Sequence, residues 1–202
     1  MGDVEVTKQA YAKIFQNYAS RNSDLNEVVR RMLDRFISLL SGEKVLDVGC
    51  ANGRESKYLF EHSLDVTGCD ISEEFIQLAR ENCPGCEFVV SDMRMLGKGE
   101  KYDGLWVSAS FLHVPKSDAR ATLEGFFELL NPGGVMYVSV MKGDFDGLRP
   151  NVALNWPERH FSDYGENEIE GLLEGAGFTV IENESVKTEW GSTFLHLFCK
   201  KS

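Results

Sequence analysis

The stretch Val45-Leu46-Asp47-Val48-Gly49-Cys50-Ala51-Asn52-Gly53 fixes the reading of the whole chain. A short apolar run ends in an acid, passes through a turn of small residues, and leads into a predicted helix over residues 54–61. Val, Leu and Val ahead of a glycine turn suit a buried parallel strand. Gly49 and Gly53 allow backbone angles and close approaches that a Cβ forbids. A ligand can therefore lie against main-chain atoms beside the N-terminus of the next helix.

The spacing narrows the ligand. A dinucleotide fingerprint wants glycine-like residues at i, i+2 and i+5, and from Gly49 the last place falls on Arg54, too large for close helix–strand packing. A P-loop would need Gly-Lys-Ser/Thr, which is absent here. What stands is Asp47 followed by Gly49, Ala51 and Gly53 at i, i+2 and i+4.

The same grammar repeats downstream. Asp65–Asp70 reads as a second strand closing on an acid, and Asp70 lies 21 residues after Gly49, where a carboxylate that holds ribose hydroxyls belongs. Its alternative role is that of a surface residue ahead of a helix capped by Ser72. Glu87–Val90 is a third strand, again running into an acid, Asp92, with Met93 behind it. Leu105–Val107 make a fourth, and residues 108–113 form the loop at its carboxyl end. Ligands of open α/β sheets sit outside those ends, where strand order reverses. His113, the imidazole nearest that point, has two open readings: a general base, or a brace for the loop against Val114-Pro115.

Asp/Glu-x-Gly-x-Gly-x-Gly is the first motif of the class I S-adenosylmethionine-dependent methyltransferases, and Asp47–Gly53 resembles it with Ala51 for the middle glycine. Leu130-Asn131-Pro132-Gly133-Gly134 before the strand 135–140 resembles the family's second anchor, so the likeness spans about 44–140. It implies a small-molecule type of member with a doubly wound, Rossmann-like α/β fold: a seven-stranded, mostly parallel sheet with an antiparallel C-terminal strand pair and helices on both faces. It also implies that Asp47, Gly49, Ala51 and Gly53 take the methionine end of S-adenosylmethionine, Asp70 the ribose, and Asp92 and Met93 the adenine. Cys50, Ile71 and Ser108 belong to the same implied donor site, and Tyr18 faces it from an N-terminal helical lid. The Asn/Asp/Ser-Pro-Pro-aromatic signature of DNA amino-methyltransferases is missing from 108–111.

Around this core, one domain is expected for 202 residues: a helical lid over 1–42, a donor-binding core over 43–140, a substrate-side loop over 141–164, and a last helix with a strand pair over 165–202. Lid helices are predicted over about 4–18 and, with Asp24 and Glu27 as a capping box, from about 25. Arg30, Arg31 and Arg35 read as a solvated face. Ser117 and Asp118 read as the cap of a later helix. In the long 141–164 loop, Lys142, Arg149 and Arg159 are candidates to hold an anionic group of the substrate, and Trp156 or Phe161 to wall its pocket.

A net charge of −11 weighs against a polyanionic partner, so nucleic acid is disfavoured. No apolar run reaches membrane-span length and no signal peptide opens the sequence, giving a cytoplasmic enzyme with reduced cysteines as the expectation. Cys83-Pro84-Gly85-Cys86 reads as a turn, with redox or half-zinc chemistry as its rival; no metal site is predicted. The function expected is methyl transfer from S-adenosylmethionine to an O or N atom of a small-molecule acceptor, with S-adenosylhomocysteine as product and His113 as base. The rivals are a tRNA or protein methyltransferase and a non-catalytic adenosylmethionine-binding protein. The sequence leaves the acceptor, the oligomeric state and the pathway open.

Overall fold

A computed structural model describes residues 2–96 and 99–201. Two helices, α1 (Asp3–Arg21) and α2 (Glu27–Leu39), precede the first strand. Then come β1 (Lys44–Val48), α3 (Arg54–Glu61), β2 (Asp65–Asp70), α4 (Glu73–Asn82), β3 (Glu87–Val90), β4 (Tyr102–Val107), α5 (Lys116–Leu129) and β5 (Leu130–Met141). The chain finishes with β6 (Asp146–Asn151), β7 (Trp156–Ser162), α6 (Glu166–Gly175), β8 (Phe178–Lys187) and β9 (Thr193–Lys201).

Seven strands form one sheet in the order β3-β2-β1-β4-β5-β9-β8. β1 is parallel to both β2 and β4, so the strand order reverses at β1/β4. β9 runs antiparallel between β5 and β8. This is the doubly wound, mostly parallel sheet with an antiparallel C-terminal pair that the sequence implies. Side chains alternate across it. Leu46, Val48, Leu105 and Val107 face one cluster with Leu123 and Phe126 of α5 and Ile169 and Leu173 of α6. Val45, Val66 and Trp106 face the other, with Met32, Leu33 and Phe36 of α2 and Leu59 of α3. Period-two alternation on strands buried from both sides gives each helix layer its own apolar floor.

Several local expectations need correction. Asn26, not Asp24, caps α2: its side chain accepts from the Val29 amide at 2.9 Å, one residue before the helix begins. Ser117 and Asp118 lie inside α5, whose N-cap is Pro115 with φ −54°, an angle the proline ring sets in advance. Arg31 and Arg35 are not free on a solvated face. They form ion pairs with Glu184 and Glu182 of β8, each guanidinium bonding both carboxylate oxygens. Arg30 lies over the Tyr58 ring at 5.4 Å. The segment 141–164 is no irregular loop. It folds into an antiparallel hairpin, β6 with β7, that pairs Leu148 with His160 and Arg149 with Arg159.

Cys83 and Cys86 are free thiols whose sulfurs lie 3.0 Å apart across the turn between α4 and β3. Among the described residues no helix is long and apolar enough to cross a membrane.

One buried histidine ties stability to pH. His196 of β9 bonds the Tyr137 hydroxyl through Nδ1 at 2.6 Å, and burial pushes its pKa down to about 4. It is therefore neutral in the folded protein, whereas the unfolded chain takes up its proton below about pH 6.5. Its contribution is complete above that value and is lost as pH falls toward 4. Relative to a His196→Gln variant, the wild type is expected to lose about 2 kcal/mol of stability between pH 7 and pH 5. Denaturant titrations of both proteins at the two pH values measure this; a parallel response would rule the effect out.

Candidate active site

The glycine turn does its first work within the protein. Gly49 has φ +78°, and a Cβ there would sit 2.3 Å from the Ser110 Cβ. Gly53, at φ +75°, would crowd Ala79 of α4 at 3.0 Å. These two absent side chains let the β4 loop and α4 close on the end of β1. Ala51 takes the left-handed conformation too, with φ +46°, and its amide donates to Asp70 Oδ2 at 3.0 Å. The Ser72 amide donates to Asp70 Oδ1 at 2.9 Å. Each carboxylate oxygen thus keeps a second lone pair for a ligand. Burial pushes the Asp70 pKa up to about 6, against the pull of these amides.

A cleft open to solvent lies over this turn. The floor comes from the carboxyl ends of the strands: Gly49 and Ala51 after β1, Asp70 and Ile71 after β2, Asp92 and Met93 after β3, and Ser108 to Ser110 after β4. Helix α1 roofs it with Thr7, Tyr11 and Tyr18, and Phe75 of α4 closes one side. Tyr18 packs edge-on against Tyr11 at 5.6 Å and Phe75 at 5.4 Å. These rings form an electron-rich wall suited to a cation.

His113 stands at the far side of the cleft. Its Nδ1 is 2.6 Å from the His160 carbonyl oxygen, which can only accept, so Nδ1 carries the hydrogen. Nε2 therefore accepts from the Tyr11 hydroxyl at 2.7 Å. Arg159 Nη1 in turn donates to Tyr11 Oη at 3.1 Å. Burial pushes the His113 pKa down to about 3, with the Arg159 charge adding to the effect and the bond to the His160 carbonyl opposing it. The imidazole is neutral throughout the physiological range.

The remaining expected site residues are spread out. Asp47 is buried behind the turn and accepts from Ser56 Oγ at 2.5 Å; burial and the nearby Glu55 carboxylate push its pKa up. Cys50 and Gly53 also lie behind the cleft wall rather than on it. Asp92 lines the cleft but is gripped by the Arg94 guanidinium at 2.7 Å and by the Arg94 amide at 3.0 Å. Burial raises its pKa, yet these bonds more than offset that and leave it below the ordinary carboxylate value. Lys142 pairs with Glu166 at 2.8 Å, outside the cleft. Arg149 pairs with Asp163, and Arg159 is buried beside Tyr11. Trp156 lies 5.8 Å from the Tyr18 ring.

Tyr11 has no place among the site residues read from the sequence. The available signal was its spacing of two helical turns before Tyr18, which puts both on one face of α1. His160 was also missed. It fastens α1 to the hairpin, its amide donating to Thr7 Oγ1 at 2.8 Å and its ring nitrogens meeting Asp3 at 3.0 Å and Asp146 at 3.1 Å.

Residues 45–134 match the family model described as a methyltransferase domain, over the part of the chain that builds the cleft floor. Over this stretch the chain is similar to the class I S-adenosylmethionine-dependent methyltransferases. Among curated methyltransferases, the malonyl-[acyl-carrier protein] O-methyltransferase of Salmonella typhimurium is 29% identical over 150 residues, covering 72% of this chain and 59% of the relative. An S-adenosyl-L-methionine-dependent Diels-Alderase of Talaromyces variabilis is 29% identical over 187 residues, covering 80% and 63%. The chain thus spans about three-fifths of the length of these curated relatives. The fold matches the Burkholderia thailandensis 1,6-didemethyltoxoflavin-N1-methyltransferase with a TM-score of 0.80 at 23% identity, over 100% of this chain and 91% of that one. The reversal at β1/β4 puts the cleft outside the carboxyl ends of the strands, where ligands of open α/β sheets bind.

Proposed function

We propose that the chain transfers a methyl group from S-adenosylmethionine to an O or N atom of a small-molecule acceptor. One observation carries this: the cleft has a twin-lone-pair carboxylate, Asp70, at the glycine turn and a proton-handling pair, Tyr11 and His113, across from it. The residues fit the donor. Asp70 has free acceptor capacity for two neighbouring hydroxyls, and Tyr11, Tyr18 and Phe75 offer ring faces and edges to a sulfonium. When bound, that sulfonium supplies an activated methyl group.

The protein's part is alignment, exclusion of water and proton handling. α1 roofs the cleft, and its attachment through Thr7 and Asp3 to His160 keeps the roof in place. Tyr11 Oη can take a proton from the acceptor while passing its own to His113 Nε2; burial raises the Tyr11 pKa, and the neighbouring Arg159 charge offsets part of that rise. With its basicity suppressed by burial and its Nδ1–H held by the His160 carbonyl, His113 keeps that proton on Nε2 only until it returns through Tyr11 to solvent as product leaves.

The test is formation of S-adenosylhomocysteine across a panel of phenols, amines and carboxylic acids. His113→Asn and Tyr11→Phe are each expected to lower kcat about a hundredfold with donor affinity within twofold of wild type. At saturating donor, the wild-type kcat should show no inflection near pH 6.5. A large loss of donor binding in both variants would sink the catalytic assignment.

A second reading is favoured by the same suppressed imidazole. A cleft that shapes and aligns without taking a proton suits a reaction internal to the substrate, and one curated relative is named a Diels-Alderase. Adenosylmethionine binding without S-adenosylhomocysteine formation, alongside conversion of a polyene, would select it.

A further inference from the structure

The three cations of the 141–164 segment meet different fates. Lys142 has Glu166, and both terminal nitrogens of Arg149 reach Asp163 at 2.8 and 2.9 Å. Arg159 has no carboxylate within ion-pair distance among the described residues. Yet it is the most buried of the three, with 5% of its surface exposed. Its one hydrogen bond goes from Nη1 to the neutral Tyr11 hydroxyl, and its buried Nε has no partner.

Its surroundings sharpen the imbalance. The guanidinium lies over the Phe161 ring at 5.0 Å and over Tyr11 and Trp156 at 5.2 Å each. Hairpin register sets it directly opposite Arg149, whose guanidinium shares Phe161 at 4.5 Å. Like charges facing across strands repel, and ring faces offset only part of the cost of burying a cation. Buried charges are ordinarily paired, so two facing guanidiniums with one carboxylate between them are short of one anion. The planar fork of an arginine matches a carboxylate.

Building on the methyltransferase reading, we propose that the methyl acceptor is a carboxylic acid whose carboxylate pairs with Arg159 through Nε and a terminal nitrogen. The contact to Tyr11 Oη puts Arg159 immediately behind the cleft lining, next to the proton-handling pair. The same arginine chemistry could instead serve the amino-acid carboxylate of the donor, and the test separates the two.

The test is calorimetric titration of the full chain, saturated with S-adenosylhomocysteine, with acetate, benzoate and 4-hydroxybenzoate, each against its neutral amide. At least one carboxylate is expected to bind tenfold or more tightly than its amide. Arg159→Gln should abolish that preference, Arg159→Lys should keep part of it, and Lys142→Gln should leave it intact. Adenosylmethionine affinity should stay within twofold in all three variants. Wild type that prefers no carboxylate over its amide would overturn the proposal. So would a tenfold loss of adenosylmethionine affinity in Arg159→Gln that vanishes with decarboxylated adenosylmethionine, which would give the arginine to the donor. Should Arg159→Gln fail to fold, the wild-type comparison and Arg159→Lys decide. Wild type that binds no adenosylmethionine would remove the methyltransferase reading itself, and the proposal with it.

Discussion

Replacing Asp70 by Ala is expected to weaken adenosylmethionine binding about a hundredfold, from the loss of two hydrogen bonds to a charged acceptor. The two oxygens of Asp70 already fix the Ala51 and Ser72 amides, so the carboxylate is held in place before a ligand arrives. A ligand diol then meets an acceptor that needs no reorganisation. The same burial gives the interaction a pH signature. With a pKa of about 6, Asp70 is largely protonated at pH 5 and largely ionised at pH 7. Wild-type affinity should therefore fall about tenfold between pH 7 and pH 5, and an Asp70→Asn variant should show a flat response. Because the folded pKa lies above that of an unfolded aspartate, the native charge is unfavourable at pH 7, and Asp70→Asn should unfold no earlier than wild type. Calorimetry at the two pH values, with thermal melts, measures both. Unchanged affinity in Asp70→Ala would reduce Asp70 to a turn-fixing residue.

Gly49→Ala is expected to cost roughly 3 kcal/mol of stability, from a left-handed alanine and from overpacking against the β4 loop. The φ of +78° and the 2.3 Å approach to the Ser110 Cβ act on the same atom. Ser110 cannot simply retreat, because it is buried and its hydroxyl donates to the Val48 carbonyl at 2.6 Å. For a chain of this length the melting temperature should drop by roughly 10 °C. Donor affinity should fall with it, as the turn and the β4 loop line the same cleft. Combining Gly49→Ala with Ser110→Gly removes the clash but not the strained angle, so about half the stability should return. A double variant no better than the single would show that the contact with Ser110 is not the cause.

What could be read from the sequence follows from how local each signal is. Strands β1 to β3, each running into an acid beside a small or polar turn, were visible because apolar periodicity and breakers act within a few residues. The seven-stranded, mostly parallel sheet and a ligand site at Asp70 and the Gly49–Ala51 turn followed from the family resemblance carried by Asp47–Gly53 and Leu130–Gly134, while the strand order itself was not legible. Pairings made at long range were not visible. Tyr11 and His113 are 102 residues apart in sequence. Arg31 and Arg35 look like a wet helix face until β8 is brought alongside. Residues 146–162 carry Gly147, Pro150 and Pro157, which mask strand character in the β6–β7 hairpin. Asp47 shows a subtler limit. The motif draws attention to its carboxylate as a ligand contact, whereas here it anchors Ser56 of α3 from beneath.

The insertion of β9 between β5 and β8 has a consequence for how the chain is made. β8 emerges from the ribosome before the strand that joins it to the rest of the sheet. Until residues 193–201 arrive, it has an unclaimed backbone edge on both sides, the condition that invites pairing between nascent chains. Its sequence answers that hazard: Glu182, Asn183, Glu184 and Ser185 run through its middle, and most of the strand remains exposed even when folded. The waiting strand is too polar to aggregate readily, and the last strand can be left to complete the sheet.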